Sequence, residues 1–480
     1  MNSFTFIRPI EGSTLSDTQS NVDLALLPLI FCRLDEVFAQ AGLRPDARIQ
    51  FPCRNSVKCV VVLLFLLERG YSIAIHGADH DRRMDVDGRL GYCSVRLDIT
   101  DCEDEINIQE PDRYIRIRKT TGSQVHGSNA TIDVLTSGSS AQPKIVRHKR
   151  GKLIGNIAAF GARIHLTSAD RIALPVPIYH MFGLGAALLP AMAAGASVDL
   201  QVNSNFLNFQ ERERRFLPTA TFLTPAYCDQ LTRLRRTAYR YKLVVLAGDL
   251  VTRETFENSE KLLGTTVKLY GSTELGAAVA GDRTEPLAVR SESIGLPLDG
   301  VRLRISSGQT AAAAHASGTL SCQHDNSFEG YVASDGTLDK DSLRQKETWY
   351  QTGDSARVDH FGRLSVLGRS DRQVKRDGHL ISLDDLQAKI SKWPEIEAVG
   401  VVESGWSKRG VGLLALCVLK KGCALDLAQF RERGIRELGR AAVPDKIAFS
   451  DRLPMLQNGK LDLNGLRVSH ADISEERIAD

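Results

Sequence analysis

The chain has 480 residues, more than a single hydrophobic core usually supports, so two or more domains are expected. Its 61 basic and 58 acidic residues leave a net charge of +3, too small a field for a nucleic-acid binder or an anionic-membrane binder, and basic runs such as 144–152 and 233–242 read as solvated helix faces. Nine scattered cysteines without C-x-x-C spacing argue against a disulfide scaffold and a zinc site. Residues 1–18 are mostly polar and lack a secretory pattern. The most apolar run, 59–67, is far short of the roughly 20 residues a membrane span needs. A soluble, reducing, cytoplasmic setting is expected.

In chain order, amphipathic spacing predicts a helix over 22–41 stopped by Gly42 and another over 57–69 stopped by Gly70, followed by a strand over 71–75. Residues 79–127 are polar and irregular and carry no assignment. Apolar Ile132, Val134 and Leu135 predict a strand that feeds the run Thr136-Ser137-Gly138-Ser139-Ser140-Ala141-Gln142-Pro143-Lys144. Hydroxyls and turn N–H groups beside a lysine can converge on an anion; the same composition also suits a flexible polar linker. Strand patterns recur over 172–176, 243–247 and 267–270, with a helical pattern over 254–263, which indicates an α/β fold. The alanine-rich 311–314 reads as a surface connection. Near Gly368 the pattern changes: helices over 383–392 and 427–438 surround strands over 397–402 and 411–419, an α+β unit of about a hundred residues. The expected organisation is a large layered α/β domain over 1–368 and a small mobile domain over 369–480, hinged at 369–371.

Four further runs carry chemical groups. Tyr270-Gly271-Ser272-Thr273-Glu274 leaves a strand end, where open α/β sheets bind ligands. Glu274 offers hard oxygen for Mg²⁺, although a capped helix N-terminus would use Ser272 to Glu274 as well. Thr352-Gly353-Asp354 and Gly368-Arg369-Ser370-Asp371 supply a carboxylate able to accept both ribose hydroxyls and a guanidinium able to reach sugar or phosphate. Lys460 follows an Asn-Gly turn near the end of the sequence.

Taken together, in this order and at these separations, these clusters resemble the core motifs of the adenylate-forming superfamily of acyl-CoA synthetases, peptide-synthetase adenylation domains and firefly luciferase. The family's Thr-Ser-Gly-Ser/Thr-Thr-Gly-x-Pro-Lys is similar to 136–144, its Tyr-Gly-x-Thr-Glu to 270–274, its Thr-Gly-Asp to 352–354, its Gly-Arg-x-Asp to 368–371 and its terminal Gly-Lys to 459–460. The resemblance implies an ATP- and Mg²⁺-dependent ligase that converts a carboxylic acid to an acyl-adenylate and passes the acyl group to coenzyme A or a carrier-protein phosphopantetheine. It implies that Thr136, Ser137, Gly138, Ser139, Ser140 and Lys144 hold the β- and γ-phosphates, that Tyr270 stacks on adenine with Gly271 allowing close approach, that Thr273 meets the α-phosphate, that Glu274 binds Mg²⁺ and that Asp354 and Arg369 hold the ribose. It further implies that Lys460 stabilises charge at the reacting oxygens, that Asp371 is the hinge and that the segment around Gly378 lines the thiol's approach.

The segment Pro177-Ile178-Tyr179-His180-Met181-Phe182-Gly183 resembles that of fatty-acyl and aryl-acid ligases, which implies His180, Met181 and Phe182 beside the acyl group; His180 as a plain core histidine is the alternative. No carboxylate stands there, and an unpaired buried ammonium is costly, so a non-amino carboxylic acid is expected, with an acyl carrier protein as a possible partner. Departures from the family pattern are Ala141 and Ile145 at usual glycine positions, Ser382 and Thr319 for glutamates and Leu463 for an arginine. Two rivals are a degenerate nucleotide-binding scaffold and a P-loop kinase or NTPase, the latter opposed by Ile145 after Lys144 in place of Ser or Thr.

Overall fold

The computed structural model describes residues 5–44, 46–78, 86–100, 109–120, 130–136, 144–201, 205–306, 317–342, 348–377, 379–407, 409–455 and 461–468. Among these residues, one sheet runs in the spatial order Leu296–Pro297, Gly276–Ala280, Gly264–Ser272, Tyr241–Leu246, Ala220–Leu223, Arg171–Leu174, Ser197–Leu200, Thr14–Ser16, Asn21–Asp23. Its middle is parallel and its edges antiparallel. Central strands such as Ala220–Leu223 are buried at every position, as expected for parallel strands covered on both faces. A second sheet runs Gly330–Tyr331, Ile145–Lys149, Thr131–Leu135, Ser72–Gly77, Arg48–Cys53, Val95–Ile99, Ile115–Lys119.

Both sheets share one core with the helix Val57–Arg69. Ser56 caps that helix by accepting from the Cys59 N–H, and Gly70, at φ 74°, ends it. Residues 57–67 are buried around the whole helix, the mark of an element enclosed on all sides. An antiparallel sheet, Val301–Ser306, Gly318–His324, Tyr350–Val358 and Leu364–Arg369, packs on the same core, and its register sets Asp354 opposite Arg369. Beyond it, Val374, Leu386, Trp393, Val401, Leu413, Phe430 and others form a separate core around the strands Gln373–Arg376, His379–Ser382, Ile396–Ser407, Gly410–Leu419 and Lys446–Phe449 and the helices Leu383–Ile390 and Leu427–Leu438.

The layered α/β fold is as expected, with local corrections. The helix expected over 22–41 begins at Leu27, with Pro28 in its first turn. Before it, Asn21–Asp23 is an edge strand and Leu24–Leu26 a 3₁₀ turn capped by Asp23. The stretch without assignment holds an antiparallel pair, Val95–Ile99 and Ile115–Lys119. The alanine-rich 311–314 lies outside the described residues. No described helix is long and apolar enough to cross a membrane.

Candidate functional site

The strand Gly264–Ser272 turns back into Gly276–Ala280, so Thr273 to Leu275 form the connecting turn, and 272–274 is not the helix start that the residue types also suited. Ser272 Oγ accepts from the Leu275 N–H at 3.2 Å. A Cβ at Gly271 would lie 2.1 Å from the Gly276 carbonyl oxygen, so glycine lets the two strands close. At the end of this strand the Tyr270 hydroxyl donates to Asp354 Oδ2 at 2.5 Å. Arg369 donates to Asp354 Oδ1 at 3.4 Å and to the Thr352 carbonyl at 3.0 Å. Burial pushes the Asp354 carboxyl up, against the pull of Tyr270 and Arg369. The backbone bends at Gly353, φ 75°, where a Cβ would lie 2.9 Å from the Arg369 guanidinium.

The strand Tyr350–Val358 carries Asp354 at this end of the site and Tyr350 at the other. There, Tyr331 donates to Glu274 Oε1 at 2.9 Å and lies 3.5 Å from the Tyr350 hydroxyl. Phe328 packs against both rings, and Lys144 Nζ sits 4.6 Å from the Tyr331 ring centre. Thr136 N donates to the Lys144 carbonyl at 2.8 Å and Lys144 N to Thr136 Oγ1 at 3.1 Å, so the two ends of the hydroxyl-rich loop are tied together. Ser137, Gly138, Ser139 and Ser140 lie outside the described residues. No group of three or more His, Cys, Asp or Glu able to hold a metal occurs among the described residues. A Mg²⁺ ion suits Glu274 all the same, because that ion takes one or two carboxylates and completes its shell with phosphate and water.

Sequence reasoning missed the residues that hold the turn. His148 Nε2 lies 2.7 Å from the Thr273 carbonyl; burial lowers the imidazole to about 4, so it is neutral near pH 7 and donates from Nε2. Phe328 N donates to the Glu274 carbonyl at 2.8 Å. His324 Nδ1 meets the Leu275 carbonyl at 3.0 Å. Asn156 takes the Ala277 N–H at 3.0 Å and returns a bond to its carbonyl at 2.7 Å. Buried groups from three other segments thus fix the backbone at 273, 274, 275 and 277. A signal existed for His148: a polar residue in a short strand, four positions after Lys144.

His180, Met181 and Phe182 open a π-helical turn, Phe182–Leu188, a wide geometry that often marks functional segments. A Cβ at Gly183 would lie 2.1 Å from the Pro177 carbonyl oxygen. The His180 ring packs on Tyr179 at 4.5 Å and Phe182 on Phe222 at 6.2 Å, and Met181 is buried. Buried Asn55 fixes the approach: its Nδ2 donates to the Leu174 and Val176 carbonyls and its Oδ1 accepts from the Ile178 N–H.

Thus Thr136, Lys144, Tyr270, Glu274, Asp354 and Arg369 are joined through one set of strands and aromatic contacts. The Asp371 backbone lies in the turn Ser370–Arg372, between the two cores. Gly378 and Lys460 lie outside the described residues.

A family model described as AMP-binding enzyme matches residues 37–332. The isonitrile lipopeptide synthase of Streptomyces coeruleorubidus is 29% identical over 358 residues, 70% of this chain and 23% of that protein. The indoleacetate–CoA ligase of Aromatoleum aromaticum is 25% identical over 352 residues, 72% of this chain and 68% of that protein. The crystal structure of ATP-bound MatB from Rhodopseudomonas palustris has a TM-score of 0.82 at 19% identity, covering 97% of each chain. That likeness establishes the fold.

Proposed function

We infer that this chain, which belongs to the AMP-binding enzyme family, activates a non-amino carboxylic acid with ATP and delivers the acyl group to a thiol. A carboxylate is a poor electrophile because its charge repels nucleophiles and oxide is a poor leaving group. Attack of the carboxylate oxygen on the α-phosphorus releases pyrophosphate and leaves a mixed anhydride, which a thiolate opens with AMP departing. Positioning and charge neutralisation supply most of the catalysis in such steps.

The observation that carries this reading is the strand Tyr350–Val358, which joins Asp354 with its partners Tyr270 and Arg369 to the Glu274, Tyr331 and Lys144 cluster. Asp354 and Arg369 would take the ribose and Tyr270 the adenine face, while Thr136, Lys144 and the loop between them would take the outer phosphates. Thr273, its carbonyl held by His148, would contact the α-phosphate. Glu274 would hold Mg²⁺, which neutralises phosphate charge when bound. Lys460 would stabilise the developing charge where carboxylate meets phosphorus, and rotation about Asp371 would bring the segment around Gly378 to the thiol.

The acid is assigned to the aromatic or fatty class because 177–183 offers aromatic and apolar side chains and no carboxylate to pair an ammonium. A CoA ligase and a lipopeptide synthase among the relatives support coenzyme A and a carrier-protein phosphopantetheine as the two acceptors to offer. The test is ATP–pyrophosphate exchange across a panel of acids, with mass spectrometry of the thioester formed when both thiols are present. Exchange with aryl or fatty acids and none with α-amino acids is expected. Release of ADP or phosphate would indicate a kinase or NTPase, and silence across the panel a binding scaffold.

A further inference from the structure

Beside Lys144 the chain forms a cavity of 510 Å³ whose wall includes Arg89, Lys144, Tyr331, Tyr350, Ser334 and Ser342. Cations and hydroxyl groups share this wall with one carboxylate, Asp339. Tyr331 also donates to Glu274, so one side chain belongs both to this wall and to the Glu274 turn. Arg89 belongs to none of the family-like motifs. It ends the short helix Val86–Arg89, in the stretch whose sequence pattern carries no assignment.

Packing seats this residue. Val86, Leu90 and Tyr92 are buried in one small cluster with Leu135, Ile145 and Val332. Ile145, standing where the resemblance leads one to expect glycine, therefore ties the stem of the hydroxyl-rich loop to the segment that bears Arg89. The departure has a structural use: it braces a second cation at the wall that Lys144 already lines.

We propose that Arg89, on the cavity wall that Lys144 also lines, is a further binding residue for the outer phosphates and holds them when they leave as pyrophosphate. The inference rests on the adenylation reading above. In that step an acid oxygen bonds to the α-phosphorus, the bond from that phosphorus to the α–β bridging oxygen breaks, and the electron pair stays on the bridging oxygen. The departing pyrophosphate thereby gains one negative charge. A planar guanidinium presents paired donors to such oxygens, while a lysine acts as a point charge.

The test is calorimetric titration of the full chain with magnesium pyrophosphate and, separately, with AMP, alongside ATP–pyrophosphate exchange. Arg89→Gln is expected to weaken pyrophosphate binding by roughly ten- to a hundredfold and to leave AMP binding unchanged, since AMP has no outer phosphates. Arg89→Lys should restore part of the loss, and Ile145→Gly should weaken pyrophosphate but not AMP. Unchanged pyrophosphate binding in Arg89→Gln, in a chain that performs acid-dependent exchange, overturns the assignment alone. So does parallel loss of AMP and pyrophosphate, which would mark Arg89 as structural. Absence of exchange from the unsubstituted chain with every acid overturns the adenylation reading and this assignment with it.

Discussion

Replacing His148 tests whether the turn that carries Thr273 and Glu274 is held from outside the substrate site. The ring is 2% exposed and its Nε2 lies 2.7 Å from the Thr273 carbonyl. Alanine leaves that carbonyl without its donor, a loss of about 1 to 3 kcal/mol for a buried polar group. If the loss falls on the aligned turn, kcat/KM for ATP drops roughly five- to a hundred-and-fiftyfold. His148→Gln places a neutral amide donor at similar reach and should recover most of the activity. The imidazole also leaves a pH signature. Burial lowers it to about 4 in the native chain against 6.5 for the free group, so between those values the unfolded chain binds more protons and native stability falls as pH falls. From pH 7 to pH 5 this one group removes about 2 kcal/mol. Urea unfolding of the unsubstituted chain should therefore lose about 2 kcal/mol more over that interval than His148→Gln, which cannot titrate. Exchange kinetics, scaled to the folded fraction, separate the two roles. If His148→Ala melts lower yet keeps full kcat/KM per folded molecule, the imidazole merely fills the core and the positioning argument is wrong.

Other substitutions address the remaining roles. Asp354→Ala removes the partner of both Tyr270 and Arg369 and should raise KM for ATP by roughly ten- to a hundredfold, with magnesium pyrophosphate binding kept; equal loss of both ligands would contradict a ribose role. Glu274→Gln should raise the Mg²⁺ concentration needed for half-maximal exchange, measured by metal titration after chelation, while AMP binding stays; an unaltered Mg²⁺ titration would remove Glu274 from the metal. Lys460→Ala should nearly abolish adenylate formation and spare thioester formation from supplied acyl-adenylate, so equal loss in both half-reactions would count against its place in the first step.

The groups proposed to touch ligand were legible because they fall in short runs around a glycine: Tyr270 and Glu274 about Gly271, Asp354 beside Gly353, Arg369 beside Gly368. The groups that touch those runs were not legible. His148 reaches a carbonyl 125 positions away, and Asn156 one 121 positions away; nothing in local periodicity links such pairs. The strand Arg48–Cys53 escaped for a related reason. It is buried at every position yet carries Arg48, Gln50 and Pro52 where a strand covered on both faces is expected to be apolar, and Arg48 is admissible in the core because Asp133, 2.9 Å away, accepts from it. Asp133 also accepts from Arg147 and Tyr92. A buried charge is tolerable once such partners exist, and those partners come from other strands.

One departure from the family pattern follows the same physics. Ser382 stands where a glutamate is frequent, and its Oγ accepts from the Asp385 N–H at 3.3 Å as the cap of the helix Leu383–Ile390. A carboxylate stands two residues later: Asp384 accepts from the Arg369 N–H at 3.0 Å and pairs with Arg372 at the end of the turn Ser370–Arg372. Gly368, at φ 133°, lies against the same carboxylate, and a Cβ there would come within 2.8 Å of Asp384 Oδ2. The small unit meets the strand bearing Arg369 through Asp384, so any rotation at Asp371 must begin by breaking or carrying along these bonds, and the charge on Asp384 is where that motion would be resisted.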